Sequence, residues 1–346
     1  MMLGRAAFAG FVAILLFLMA SSRPSLPAWA FDPDAEEGIH GGVEVEWWYH
    51  YGFLTDDAGT EWALFSAFFR SERKGAPLSR YLLYDLVDLK TGAHDYRSRL
   101  GEEAMALYAL GSGQSTLSPP HAVIPGRPIE KAGDPLKLTY GENTLQQTER
   151  RRYRLRVGEA DLDLRAVSPP MPIEGTGLTG VTHPEEMHYY SIPRLEVTGT
   201  VKGRPARGTL WYDHQWGASW TGPAFGWSWW GLQLDDGTAV NAYVLRETNP
   251  GRVRKTVMTR NGRVSALEAT PLEWWESPIH VRYPVAWRLV GGGLDLKIEP
   301  AFKNREVMLV GNTDTLWEGP VRVTGTVGGR GFQELVGYAR ERKRKE

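Results

Sequence analysis

There is no cysteine in the chain, which excludes disulfides, a thiol nucleophile and a lipidated amino-terminal cysteine. There is no excess of either charge: 40 Lys and Arg stand against 41 Asp and Glu, a formal net charge of −1. No global field recruits nucleic acid or an anionic membrane, so no nucleic-acid partner is expected. No His-Glu-x-x-His puts two metal ligands on one helix face, and His183 and His188 do not have that spacing. No Gly-x-Ser-x-Gly presents a nucleophilic serine. Neither a metal nor an organic cofactor is expected, and nothing identifies a protein partner.

Helical signals are scarce as well. Glu102–Leu110, with acidic residues in its first turn and a Gly-Ser-Gly stop, predicts one helix. Elsewhere the chain reads as strands. Val43–Leu54 and Thr60–Arg70 bracket Asp56-Asp57-Ala58-Gly59, and Trp227–Leu234 and Thr238–Arg246 bracket Asp235-Asp236-Gly237, so each pair predicts an antiparallel hairpin. Many further short strands up to Tyr338, with almost no helix, indicate a sandwich or closed barrel. Five prolines between Gln114 and Pro135 exclude a helix or central strand there, and so long a loop is a candidate lid. The Arg150-Arg151-Arg152 run reads as a solvated face.

Aromatic residues, by contrast, are abundant. Fourteen Trp against eleven Phe favour an apolar ligand, because indoles suit flat apolar surface with a polar edge. With 346 residues, 42% hydrophobic and 23% charged, the chain is of folded type and long enough for two domains. The first thirty residues stand apart. Arg5, an apolar run from Ala6 to Ala20, a breaker-rich Ser21–Pro27 and Ala28-Trp29-Ala30 have the layout of a signal peptide, with a mature start at Phe31. The apolar run falls short of the ~20 residues that span a bilayer. No stable membrane anchor is expected after cleavage, and an exported cysteine-free chain suits a bacterial periplasm. Val197–Arg204 recurs as Val323–Arg330, pointing to two β-domains of like construction. They are expected over 31–220 and 221–338, with a basic tail at 339–346.

The densest chemistry lies in Trp211-Tyr212-Asp213-His214-Gln215-Trp216-Gly217. Strand alternation divides it: Trp211, Asp213 and Gln215 share one face, while Tyr212, His214 and Trp216 share the other, which is expected to meet the following domain. A turn near Gly203 would pair this strand with the one carrying His188 and Tyr190, so that His188 converges with Asp213. In the first strand Glu46, Trp48 and His50 form another row. Burial among indoles would raise the Asp213 pKa and make it a proton donor at neutral pH. Protonating an alkene gives a carbocation that aromatic faces stabilise, and water completes a hydration. The same residues would also serve as the wall of a pocket that only carries a lipid, or, with Glu46 and Asp213 as a carboxylate pair, a sugar hydrolase.

His40 with Glu46-Trp47-Trp48-Tyr49, His188, Trp211–Gly217, Trp317-Glu318-Gly319 and Gly331–Tyr338 resemble the AttH-type predicted secreted hydrolases, relatives of carotenoid 1,2-hydratase (hydroxyneurosporene synthase). The resemblance runs from about Glu36 to Tyr338. It implies an all-β protein of two lipocalin-like antiparallel barrels in tandem. It also implies cofactor-independent hydration of an isoprenoid or lipid-like substrate, with His188 and Asp213 as the acid–base pair and Tyr190 and Trp211 beside them. Relative to the hydratases, the Tyr and Trp at those last two positions are exchanged. Glu46, Trp48, His50, Gln215, Tyr212 and His214 are the remaining candidate substrate contacts.

Overall fold

The computed structural model describes residues 31–72, 78–102, 123–125, 133, 135–181, 183, 186–218, 225–249, 251–309 and 315–342. The expected leader, the helix after Glu102, most of the candidate lid and the end of the basic tail lie outside them. Residues 31–346 cluster as one compact unit. Among the described residues no helix is long and apolar enough to cross a membrane.

The first sheet comprises β1 (Val45–Asp56), β2 (Glu61–Ser71), β3 (Ser79–Asp88), β4 (Arg97–Gly101), β5 (Val123–Ile124), β6 (Lys137–Tyr140), β7 (Asn143–Glu149), β8 (Arg152–Val157), β9 (Ala160–Ala166), β10 (Met171–Pro172), β11 (Met187–Val201) and β12 (Arg204–Gly217). The second comprises β13 (Phe225–Leu234), β14 (Ala239–Glu247), β15 (Val253–Arg260), β16 (Arg263–Ser265), β17 (Glu268–Glu276), β18 (Arg282–Gly291), β19 (Leu294–Pro300), β20 (Glu306–Met308), β21 (Thr315–Gly325) and β22 (Gly329–Val336). Around their centres the orders are β3-β2-β1-β12-β11-β9-β8 and β15-β14-β13-β22-β21-β19-β18. These are the same arrangement twice, with the repeated segments Val197–Arg204 and Val323–Arg330 at equivalent hairpins. Both sheets curl into barrel-like, lipocalin-like domains. In the first, the edge strand β6 folds back onto β2: the Tyr140 hydroxyl donates to the Phe69 carbonyl at 2.9 Å.

Local chemistry sets the hairpins. Asp56 Oδ1 accepts the backbone N–H groups of Ala58 and Thr60, each at 2.9 Å, and Gly59 supplies the positive φ that closes the turn. Asp236 and Gly237 repeat the device in the second sheet. β1 carries aromatics on both faces because it has a core on each side. Its even-numbered residues face the interior of the first barrel, where Trp48 and His50 are buried. Its odd-numbered residues, Tyr49, Tyr51 and Phe53, join Trp211 from β12 in a core shared with Trp229, Tyr243, Leu316 and Phe332 of the second sheet. A separate cluster around Trp230, Trp287 and Trp317 fills the second barrel. A Cβ on Gly231 of the second sheet would sit 2.2 Å from the Tyr51 hydroxyl of the first, so any larger residue there forces its neighbours to shift.

Residues 31–44 form a strap across the inner face of the first barrel. Phe31 packs on Tyr190 with ring centroids 5.5 Å apart. Glu37 accepts from Tyr153 at 2.7 Å and Tyr212 at 2.9 Å. Arg150 and Arg151, expected as a solvated run, bond Asp34 of the strap.

Candidate functional site

A cavity of about 250 Å³ lies between the two sheets. Val45, Trp47, Tyr49, Phe65, Phe69 and Leu83 line it from one side, and Trp227, Trp229, Tyr243, Leu245, Leu316 and Val336 from the other. In this apolar wall stand three carboxyl groups: Asp213 from the first sheet, Glu318 and Glu334 from the second.

Asp213 is 2% exposed. Its Oδ1 accepts from the Ser191 hydroxyl at 2.5 Å and the Trp211 indole N–H at 2.7 Å, and its Oδ2 from the Tyr189 hydroxyl at 3.0 Å. The direction of the last bond follows from Tyr189. Its oxygen already accepts from Trp229 Nε1 at 3.1 Å and Asn241 Nδ2 at 2.7 Å, which uses both lone pairs and leaves its own proton for Asp213. Loss of solvation on burial pushes the Asp213 pKa up, and the three donated bonds pull it back, leaving it at about 7. With both lone pairs of Oδ1 engaged and one of Oδ2, a proton on this carboxyl takes the remaining position on Oδ2.

Glu318 and Glu334 are directly opposed on β21 and β22. Burial disfavours the charged form of each, and a neighbouring acid adds to it, Glu334 at Glu318 and Asp213 at Glu334, so both carboxyls are held toward their neutral forms. Glu318 is raised well above the usual carboxylate range, chiefly by burial, while its Oε1 accepts from the Tyr49 hydroxyl at 2.5 Å. Glu334 is pushed up to about 7, again chiefly by burial, with the Trp227 indole N–H at 2.8 Å opposing the shift. Tyr49 is itself the β1 neighbour of Asp213, so all three acids stand around one volume.

The expected Asp213–His188 pair is not formed. His188 is opposite Trp216, and Asp213 is opposite Ser191, so the two side chains leave the sheet on different faces. The cause is a register shift between Ile192 and Leu195: continued without it, the hairpin from the Lys202-Gly203 turn would bring His188 onto the Asp213 face. The expectation that the Tyr212, His214 and Trp216 row meets the second domain is likewise corrected. That row faces the first barrel's interior, and the Trp211, Asp213 and Gln215 row faces the second sheet. Of the candidate contacts, Gln215 lines the cavity and Trp211 bonds Asp213. Tyr190, Glu46, Trp48, His50, Tyr212 and His214 share the inner face with His188. Glu46 and Asp213 therefore cannot flank one sugar ring, and a carboxylate-pair hydrolase built on them is excluded.

On that inner face the groups form a second assembly. Glu46 Oε1 lies 2.7 Å from His40 Nδ1 and 2.9 Å from His214 Nε2, and its Oε2 lies 3.3 Å from Arg70 Nη1. Burial opposes charge on His40, but Glu36 and Glu46 outweigh it and lift the pKa to about 9. Burial dominates at His214 and lowers it, and at His50 burial alone lowers the pKa to about 3. Trp216 is stacked between His40, at 4.1 Å, and His188, at 5.1 Å.

Sequence reasoning missed Tyr189, Tyr49, Glu318 and Glu334. The available signal was a lone acid within an otherwise apolar strand, in Trp317-Glu318-Gly319 and Phe332-Gln333-Glu334-Leu335.

No curated protein matches the chain. The crystal structure of a protein described as AttH from Nitrosomonas europaea is similar at 25% identity and a TM-score of 0.73, covering 91% of this chain and 99% of that one. Kievitone hydratase from Nectria haematococca shares the fold at 19% identity and a TM-score of 0.65, covering 89% of this chain and 93% of that one. The AttH-like family profile matches residues 25–338, nearly the whole described chain, and the protein belongs to the AttH-like family.

Proposed function

We propose that this protein is a cofactor-independent hydratase-type enzyme acting on a hydrophobic, isoprenoid or lipid-like alkene in the cavity between its sheets. The observation that carries this reading is the Asp213 carboxyl, buried in an aromatic cavity and balanced near neutrality with one position left for a proton. Such a group donates a proton at neutral pH, as water or an exposed carboxylate does not. Protonation of a C=C bond places positive charge on the neighbouring carbon, in a cavity lined by Trp47, Tyr49, Trp227 and Trp229, whose π-systems can stabilise a cation. Water then adds to the cation, and Glu334 in its ionised form takes the proton that this water loses. A proton moves from Asp213 to carbon, hydroxide equivalent from water forms the C–O bond, and a proton arrives at Glu334, so the atoms balance. A hydratase of the same fold supports the reading.

The test is incubation of the purified protein with lipid and isoprenoid extracts in isotopically labelled water, followed by mass spectrometry. A product heavier by one labelled water is expected. Bound ligand recovered unchanged, with no labelled product from any extract, would instead make the protein a carrier.

A further inference from the structure

We propose that His40, Glu46 and His214 form a binding site for a divalent transition-metal cation of zinc's class, which fastens the amino-terminal strap to the floor of the first barrel. The three donor atoms, His40 Nδ1, a Glu46 carboxylate oxygen and His214 Nε2, lie within 4.8 Å of one another. They come from three separate parts of the chain: the strap, β1 and β12. Two imidazoles and a carboxylate are a ligand set that zinc and its neighbours take, with further positions left for water.

The surroundings match what such ligands require. A metal-bound histidine is usually oriented through its other ring nitrogen. His40 Nε2 lies 2.8 Å from Glu36 Oε2, and His214 Nδ1 lies 3.4 Å from the Tyr190 hydroxyl. Both orienting groups are thus in place while Nδ1 of His40 and Nε2 of His214 point at one oxygen. Glu46 is fixed as well: Arg70 holds its second oxygen, and the same guanidinium donates to the His40 carbonyl at 2.6 Å. Trp48 stacks on His214 at 5.0 Å and Trp216 on His40 at 4.1 Å, walling the rings into these orientations.

The present N···O separations of 2.7 and 2.9 Å are hydrogen-bonding distances. Bonds of about 2.1 Å to a tetrahedral zinc would set the donors roughly 3.4 Å apart, so a cation needs a widening of about 0.5 to 0.7 Å and displacement of the shared proton. His40 retains 21% side-chain exposure, which gives a cation a route from solvent. Glu36 sits behind His40 and adds negative charge, while Arg70 offsets part of it. The site is therefore expected to bind in the micromolar range rather than with the affinity of a structural zinc finger.

The experiment uses the whole mature protein, untagged and stripped by chelator, titrated with Co²⁺ and with Zn²⁺. One equivalent of Co²⁺ should give the intense visible absorption of a low-coordinate site, Zn²⁺ should displace it, and Zn²⁺ should raise the Tm by several degrees. His40→Asn and His214→Ala should each weaken binding about 10- to 100-fold and remove the zinc-dependent rise in Tm. His40 lies on the partly exposed strap, so its variant remains a usable test if replacing the buried His214 prevents folding. A Co²⁺ spectrum that stays that of the aqueous ion at millimolar metal, or binding that His40→Asn leaves unchanged, overturns the proposal and leaves the assembly a proton-bridged hydrogen-bond network.

Discussion

The carboxyl of Asp213 and the imidazole of His214 are adjacent in sequence yet open into separate compartments. Asp213 is bonded by Tyr189, Ser191 and Trp211 at the cavity between the sheets, while His214 meets Glu46 inside the first barrel. One strand thus serves two assemblies, and variants at consecutive positions should have unlike phenotypes.

Asp213→Asn removes the proton donor while keeping the side-chain shape. Turnover should fall by about 10²- to 10⁴-fold. Affinity for an apolar fluorescent dye, measured by titration, should change less than about threefold. Unchanged turnover would show that the acid lies elsewhere.

Glu334→Gln leaves an oxygen to accept the Trp227 indole N–H but removes the base. A rate loss of about 10- to 100-fold is expected at saturating substrate, with dye affinity retained. If kcat is preserved, Glu334 only lines the wall.

The stability consequence of Asp213 has a definite sign. Its pKa rises from 3.8 to about 7 on folding, so the folded state holds the proton more tightly than the unfolded chain. The resulting stabilisation is complete below about pH 4 and is lost as pH rises through about 7, an upper figure of about 4 kcal/mol. Urea midpoints measured between pH 4 and 8 should therefore decline less steeply in Asp213→Asn than in the parent. Turnover should drop on the alkaline side of about pH 7, where Asp213 has lost its proton, and also on the acid side, where Glu334 is protonated and can no longer accept one.

His188→Ala separates geometry from family resemblance. Because His188 is on the far face of the sheet, turnover should stay within about threefold. Loss of its stack on Trp216 should cost about 1 kcal/mol in chemical denaturation. A hundredfold loss of kcat would restore His188 to the mechanism and contradict its position on the face turned away from Asp213.

Gly231→Ala puts a methyl group against the Tyr51 hydroxyl and the Trp229 ring, at 2.2 and 2.6 Å before any adjustment. Overpacking of this kind costs about 1–3 kcal/mol. Dye binding should weaken in parallel, since the displaced Trp229 ring lines the cavity; full-affinity binding in the variant would count against that link.

Period-two reasoning recovers a good deal of this. The hairpins around Asp56–Gly59 and Asp235–Gly237 are legible because Asp and Gly at a turn have local causes. The two rows of Trp211–Gly217 are legible because alternation is a property of any strand. Which row meets which partner was not, because that depends on register. The shift between Ile192 and Leu195 moves one residue out of step and exchanges the faces of everything from Met187 to Ile192. Tyr189 and Ser191 thereby come to Asp213 in place of His188 and Tyr190. The pairing of β1 with β12 joins residues far apart in the chain, and the meeting of Tyr49 with Glu318 joins different sheets. No local pattern encodes either.

The three acids are divided between the halves of the chain: Asp213 belongs to one barrel, and Glu318 and Glu334 belong to the other. On the proposed mechanism, donor and acceptor are consequently separate heritable parts. Relatives that exchange a barrel by recombination would pair an unaltered proton source with a new water-activating group. Substitutions far from the cavity that slide one sheet by a fraction of an ångström would retune the chemistry without touching any residue that performs it.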